Sequence, residues 1–276
     1  MTGRTGASRA RLDAELVRRG LARSRGEAAD LVAAGRVRIS GQQATKAATR
    51  VATTDPLSLV ESPSGPSYAS RGAHKLIGAL AQFAAHGLQV ADRRCLDAGA
   101  STGGFTDVLL RGGAREVVAV DVGYGQLAWS LRTDQRVRVI DRTNVRNLTP
   151  GQIGGPVDLA VADLSFISLR TVLGALTECV HPDGDLLPMV KPQFEVGRDR
   201  LSAGGVVRDP ALRAEVVLRV AEAAATYGWG VAGLARSPLP GPAGNVEYFL
   251  WLRTDAPPVG SAAVHAVVDV AELSAQ

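Results

Sequence analysis

The sequence predicts an α/β fold, a doubly wound, seven-stranded sheet, with a small α+β domain ahead of it. Three observations carry this. From residue 92 onward, short apolar runs alternate with helix-length stretches, the pattern of a parallel sheet covered on both faces. The apolar run 93–96 ends in Asp97 and a glycine loop (Gly99, Gly103, Gly104) that opens a helical stretch at 104–111, the layout that brings a ligand close to backbone. Charge is also uneven. Residues 1–60 hold 11 Lys and Arg against 5 Asp and Glu, a net of +6, whereas the whole chain is +4, so residues 61–276 stand at −2. A basic module on a weakly acidic body suggests a polyanionic partner.

Bulk composition narrows the classes. With 276 residues and 46% apolar content, a packed core is expected. No apolar run reaches 18 residues, and the N-terminus lacks an apolar signal core. Cys95 and Cys179 form no CxxC pattern and read as core residues of a reduced, cytoplasmic protein. His74, His86, His181 and His265 show no ligand spacing, so no metal is expected.

Residues 1–9 read as a disordered basic lead, 10–62 as the small domain, 63–71 as a linker, 72–255 as the large domain and 256–276 as a tail of coil with room for a short terminal element. In the small domain a helix over 12–19 sets Leu12, Leu16 and Val17 on one side and closes at Gly20. Ser24 with Glu27 forms a capping box for a second helix ending at Gly35. Val37 and Ile39 alternate with Arg36 and Arg38 in a half-buried strand, and Ser40-Gly41 turns the chain. Val51 and 57–60 add short strands, and the Pro/Gly/Ser-rich stretch 61–67 separates the domains. In the large domain the predicted strands are 93–97, 116–121, 137–140, 157–162, 184–190, 230–236 and 247–252. The predicted helices are 74–86, 104–111, 125–132, 169–180 and 210–227.

The small domain, through Arg11-Leu12-Asp13, Leu16, Gly20, Ser24-Arg25, Ala28, Leu31, Gly35, Val37, Ile39 and Gly41, resembles the RNA-binding domain first described in small-subunit ribosomal protein four. The resemblance implies that Arg25, Arg36, Arg38 and neighbouring basic residues, Arg4 and Arg11 among them, face structured RNA.

Which ligand the glycine loop serves follows from its spacing. A dinucleotide site wants G-x-G-x-x-G around a pyrophosphate, whereas this loop is D-x-G-x-x-x-G-G. Asp97 would repel a pyrophosphate and suits a cationic amino-acid head. The run 117–120 ends in Asp121, an acid placed to accept a ribose diol. Together these features resemble the S-adenosylmethionine site of Rossmann-like class I methyltransferases. The resemblance implies cofactor contacts from Asp97, Gly99, Ser101, Gly103, Gly104, Phe105, Asp121, Asn144 and Asp163, with residues 141–144 beside the adenine.

The fourth strand ends Ala162-Asp163-Leu164-Ser165-Phe166, without the proline pair typical of amine methyltransferases, and neither cysteine is placed as a nucleophile for base carbon. The fifth strand ends at Lys191, a position facing the ligand crevice. Lys75, Asp163, Lys191 and Glu247 resemble the Lys-Asp-Lys-Glu tetrad of ribose 2′-O-methyltransferases. Lys191 would then stand nearest the hydroxyl, as base or as cation, oriented by the other three. The glycine-rich stretch 196–205 reads as a loop carrying Arg198 and Arg200 toward phosphate.

The segments SRGAHKL, DAGASTGGFTD, DVGYGQL, ADLSFISL, VKPQFE and NVEYFLWL, joined to the small domain, resemble the TlyA (haemolysin A-like) family over roughly residues 10–252. That resemblance implies 2′-O-methylation of cytidine in ribosomal RNA of bacterial subunits. Some members modify the RNA of both subunits and some only that of the large one, and the basic stretch 4–11 leans toward the former. Arg71, at the linker's end, joins the RNA-facing set. Two other classes stand beside this reading: a non-catalytic RNA-binding protein, and the pore-forming activity the haemolysin name suggests.

Overall fold

A computed structural model describes residues 9–22, 25–33, 35–60, 68–197, 200–201, 204–241 and 243–273. The basic lead up to residue 8, Ser24 of the expected capping box, the linker stretch 61–67, Arg4 and Arg198 lie outside the described residues. The chain divides into two units, 1–67 and 68–276.

In the first unit, β1 (Arg9–Arg11) leads into α1 (Leu12–Arg18) and α2 (Arg25–Ala33). Strands β2 (Val37–Ile39), β3 (Gln42–Gln43), β4 (Arg50–Ala52) and β5 (Leu57–Leu59) follow. β1 pairs with β4, and β2 lies between β3 and β5. Leu12, Leu16, Ala28, Val32, Val37 and Val51 form its buried core. Ser40 and Gly41 both take positive φ, 49° and 85°, the twist a two-residue hairpin between β2 and β3 requires.

The second unit starts with α3 (Ala73–Ala84). It then runs β6 (Arg94–Ala98), α4 (Gly104–Arg111), β7 (Glu116–Val120), α5 (Trp129–Arg132), β8 (Val137–Ile140), α6 (Pro150–Ile153), β9 (Val157–Ala162) and α7 (Leu173–Glu178). Next come β10 (Val180–Val190), α8 (Pro192–Glu195), α9 (Pro210–Ala225), β11 (Gly230–Arg236), β12 (Tyr248–Arg253) and α10 (Ser261–Leu273). The sheet order is β11-β12-β10-β9-β6-β7-β8. The chain runs outward from β6 to β8, then returns through β9 to the other side of β6. This reversal opens a crevice at the carboxyl ends of β6 and β9, where α/β sheets bind ligands.

Three expectations need correction. The sheet is mixed, because β12 runs antiparallel to both β10 and β11. Only residues 237–247 connect β11 to β12, too few for a helical crossover. The tail holds more than a short terminal element: α10 runs for 13 residues and buries Val264 and Val268, four residues apart, against the main core. The helices expected over 125–132 and 169–180 shrink to α5 and to a 3₁₀ turn at Leu169–Thr171 followed by α7. Cys95 and Cys179 are core residues as read, and burial pushes their thiols up to about 12 and about 11.

Candidate active site

The strand register assembles the site. Ala98 of β6 lies opposite Ala162 of β9, so Gly99 and Asp163 leave the sheet side by side, and Asp163 N–H donates to the Ala98 carbonyl at 3.1 Å. Val190 of β10 pairs with Tyr248 of β12, so Lys191 and Glu247, one residue beyond, face each other across antiparallel strands. Lys75, in the first turn of α3, reaches Glu247 in a buried ion pair. Lys191 Nζ lies 2.5 Å from Asp163 Oδ1 and donates to Ser165 Oγ at 3.0 Å. The four residues therefore form two ion pairs. Glu247 lies within the field of Lys191 and Asp163 as well as of Lys75. Its carboxyl is raised above the usual range by burial, with Lys75 pulling the other way.

Asp97 stands beside this group. It is fully buried, and its Oδ2 accepts from the Thr106 hydroxyl at 2.7 Å. Its Oδ1 has no hydrogen-bond partner. Burial raises its carboxyl to about 7, against the lowering by Thr106; Asp163 and Asp121 push it further up. A buried carboxylate with an open lone pair and negative neighbours suits a cation.

The glycine loop is no anion cradle. The N–H groups of Gly99 and Ala100 donate to Val120 O, that of Ser101 to Asp121 Oδ2 and that of Gly103 to Ala100 O. Four amides that could hold a phosphate are thus already engaged. The glycines are needed for close packing within the protein. A Cβ on Gly99 would stand 2.6 Å from the Asp163 carbonyl, and one on Gly103 would stand 2.3 Å from Leu131. On Gly104 it would meet Ser70 Oγ at 2.3 Å. Asp121 takes one backbone amide on each oxygen, from Ser101 at 2.8 Å and Gly123 at 2.6 Å, which leaves each oxygen a lone pair for a diol.

Other expected residues are differently occupied. The Phe105 ring enters the core, 6.0 Å from Phe249, because the first turn of α4 packs against the sheet. The Asn144 side chain caps the 3₁₀ turn Val145–Asn147 by accepting from Arg146 N, and Asp141 is ion-paired with Arg132. Arg200 is held by Glu215 of α9 through two bonds of 3.0 Å, and Arg71 is exposed just ahead of α3. In the first unit Arg11 and Arg25 both close on the buried Asp13, at 2.9 and 3.0 Å. Arg11 holds the Asp13 carboxyl well below the usual range. Arg36 and Arg38 donate to the carbonyls of Val60 and Gly41.

Sequence reasoning passed over the aromatic edge of the site. Phe166 is 92% exposed with φ of +64°, and its ring meets that of Phe194 at 5.3 Å. A non-glycine residue in that region costs about 1–2 kcal/mol, and such strain gathers at functional loops. Ser101 and Arg142, in the loops after β6 and β8, share the positive φ. Tyr124, in the loop after β7, is exposed with Arg142 stacked 4.2 Å over its ring. An apolar residue exposed inside a loop leaves no periodic signal, so only the neighbouring Asp163 pointed to this edge.

Residues 68–254 match the FtsJ-like methyltransferase family, and residues 10–57 match the S4 domain. The 16S/23S rRNA (cytidine-2′-O)-methyltransferase TlyA of Mycobacterium tuberculosis is 64% identical over 248 residues, covering 90% of this chain and 91% of that one. Hemolysin A of Brachyspira hyodysenteriae is 35% identical, covering 86% and 97%. A hemolysin-named structure from Streptococcus thermophilus superposes with a TM-score of 0.76 at 38% identity, covering 97% of both chains.

Proposed function

The chain belongs to the TlyA family, an FtsJ-like methyltransferase domain joined to an S4 domain, and on that premise we propose how its residues carry out the chemistry. The protein is an S-adenosylmethionine-dependent methyltransferase that acts on the 2′-hydroxyl of cytidine in ribosomal RNA. Both subunits' RNAs are its substrates, a reading supported by the 16S/23S activity in the name of the M. tuberculosis relative. The observation that carries the site assignment is Lys191, held between Asp163 and Ser165 in a crevice that also contains Asp97.

S-adenosylmethionine, when bound, supplies a methyl group on a sulfonium that leaves as a neutral thioether. Asp97 Oδ1 would hold its ammonium group, and the free lone pairs of Asp121 would hold its ribose diol. The ammonium of Lys191 has three N–H donors. One is donated to Ser165, and Asp163 lies against the ammonium as an ion pair, so a donor remains for the target 2′-oxygen. There Lys191 would stabilise the negative charge that develops on that oxygen as it accepts the methyl group. The hydroxyl proton leaves toward Asp163, whose side chain is 24% exposed. The Lys75–Glu247 pair holds Lys191 from the opposite side. Phe166 and Phe194 offer an apolar face on which the base of an extruded cytidine stacks.

The test is transfer of labelled methyl groups to isolated ribosomal subunits, followed by nucleoside analysis. The expected product is 2′-O-methylcytidine in the RNA of both subunits. Label on a base, or none, overturns the reading. Lys191→Arg separates the two roles of that lysine: a residual rate well above that of Lys191→Ala marks a cation, and equal loss marks a base.

A further inference from the structure

The loops after β9 and β10 are fastened together by a buried side chain that stands outside the residues assigned above to the cofactor and the target hydroxyl. Glu195, at the end of α8, is 4% exposed. Its Oε1 accepts from Leu169 N–H at 2.6 Å, and its Oε2 accepts from the Ser168 hydroxyl at 2.6 Å and from Arg170 Nε at 3.4 Å. All three donors lie in the loop that follows β9. That loop carries Asp163, Ser165 and the strained Phe166, while Glu195 closes the short segment that begins at Lys191 and carries Phe194.

The parallel ladder between β9 and β10 ends at Ala162 and Pro188. Beyond it the two loops must keep their spacing by side-chain contacts: the Lys191–Asp163 pair, the Phe166–Phe194 contact and the Glu195 cluster. The first two must also make way for ribose and base. Glu195 takes part in neither contact and is buried, so its bonds need not break when substrate enters. A buried carboxylate that accepts a backbone amide and a hydroxyl in fixed directions sets position more narrowly than apolar packing does.

We propose that Glu195 is a positioning residue for the transfer step. It sets the distance between the Asp163–Phe166 loop and the Lys191–Phe194 segment, and through it the alignment of the 2′-oxygen with the methyl group. The proposal rests on the reading of the site given above. A misplacement of about 1 Å in such a site costs up to ~10²-fold in rate.

The test compares the two ends of the parallel ladder between β9 and β10. Single-turnover methyl transfer to ribosomal subunits is measured at saturating S-adenosylmethionine, with its Kd by calorimetry and the melting temperature of each variant. Glu195→Gln is expected to slow transfer at least ~10-fold, and the milder Ser168→Ala ~2- to 5-fold, with Kd within about twofold of wild type. Asp185→Asn, which disturbs a buried carboxylate on β10 opposite Leu159 of β9, and the gentler Asp158→Asn are expected to lower the melting temperature and leave the rate unchanged. Wild-type rates in both Glu195→Gln and Ser168→Ala overturn the proposal. So does a rate that falls in step with melting temperature in all four variants. An inactive wild type, or full activity in Lys191→Ala, instead overturns the site assignment beneath it.

Discussion

The two ends of the central sheet treat buried charge in opposite ways. At the amino end of the parallel strands, Asp185 is fully buried. Arg93 occupies its Oδ2, while the Trp251 indole, at 2.6 Å, and Arg253, at 3.4 Å, occupy its Oδ1. Arg94 there holds Glu116 at 2.8 Å and the carbonyl of Gly155 at 2.7 Å. At the carboxyl end, Asp97 Oδ1 and Glu247 Oε1 are buried without a hydrogen-bond partner, and both carboxyls are pushed upward by burial. Satisfied charge holds an architecture together. Unsatisfied charge weakens it, and it persists where a ligand completes it. The contrast locates the site without reference to any relative.

Lys191→Ala tests the contrast most severely. It is expected to slow methyl transfer by ~10²–10⁴-fold while S-adenosylmethionine Kd stays within a few fold, measured by single-turnover labelling and calorimetry. Asp97→Asn is expected next in size. Cofactor affinity falls by more than ~10-fold, the loss of a charge-assisted bond, and thermal stability at pH 8 rises. The sign follows from the direction of the shift. The folded-state carboxyl, at about 7, sits above its ordinary value, so the native state binds the extra proton and stability declines as pH rises from about 4 to about 7. Cofactor affinity in wild type accordingly weakens below pH 7, where Asp97 is protonated, and the Asn variant loses this pH dependence. Asp185→Asn, at the opposite end, is expected to cost roughly 1–3 kcal/mol of stability in thermal melts with no change in rate. Arg36→Ala and Arg38→Ala produce the smallest effects. Each reduces the salt dependence of rRNA binding by a slope of about 1, whereas Arg25, already tied to Asp13, gives less.

The sheet was legible because its strands are short apolar runs bounded by glycines and acids, and every predicted strand of the second unit appears within a few residues of its expected place. The four polar residues were legible as strand-end and helix-head positions. Their pairing was not, since it depends on β12 inserting between β10 and β11, an arrangement set by connection length and not by local pattern. The glycines illustrate a different limit. Their spacing excluded a dinucleotide loop, yet sequence could not reveal that Gly99 accommodates the Asp163 backbone and Gly103 accommodates Leu131. Phe105 and Asn144 look like ligand contacts in a linear motif, but core packing and a turn cap occupy them. Arg25 likewise looks like a free cation until the fold brings Asp13 beside it.

The ion pair between Lys75 and Glu247 joins positions 172 residues apart, from the first helix of the catalytic unit to its last strand. A chain emerging from the ribosome exposes Lys75, Asp163 and Lys191 long before Glu247, and until then Lys75 has no carboxylate opposite it. The carboxylate reaches Lys75 only once β12 has taken its place between β10 and β11. A fragment stopped short of that strand keeps the Lys191–Asp163 pair but leaves Lys75 without its carboxylate, so the quartet is a property of the whole catalytic unit and of no smaller piece.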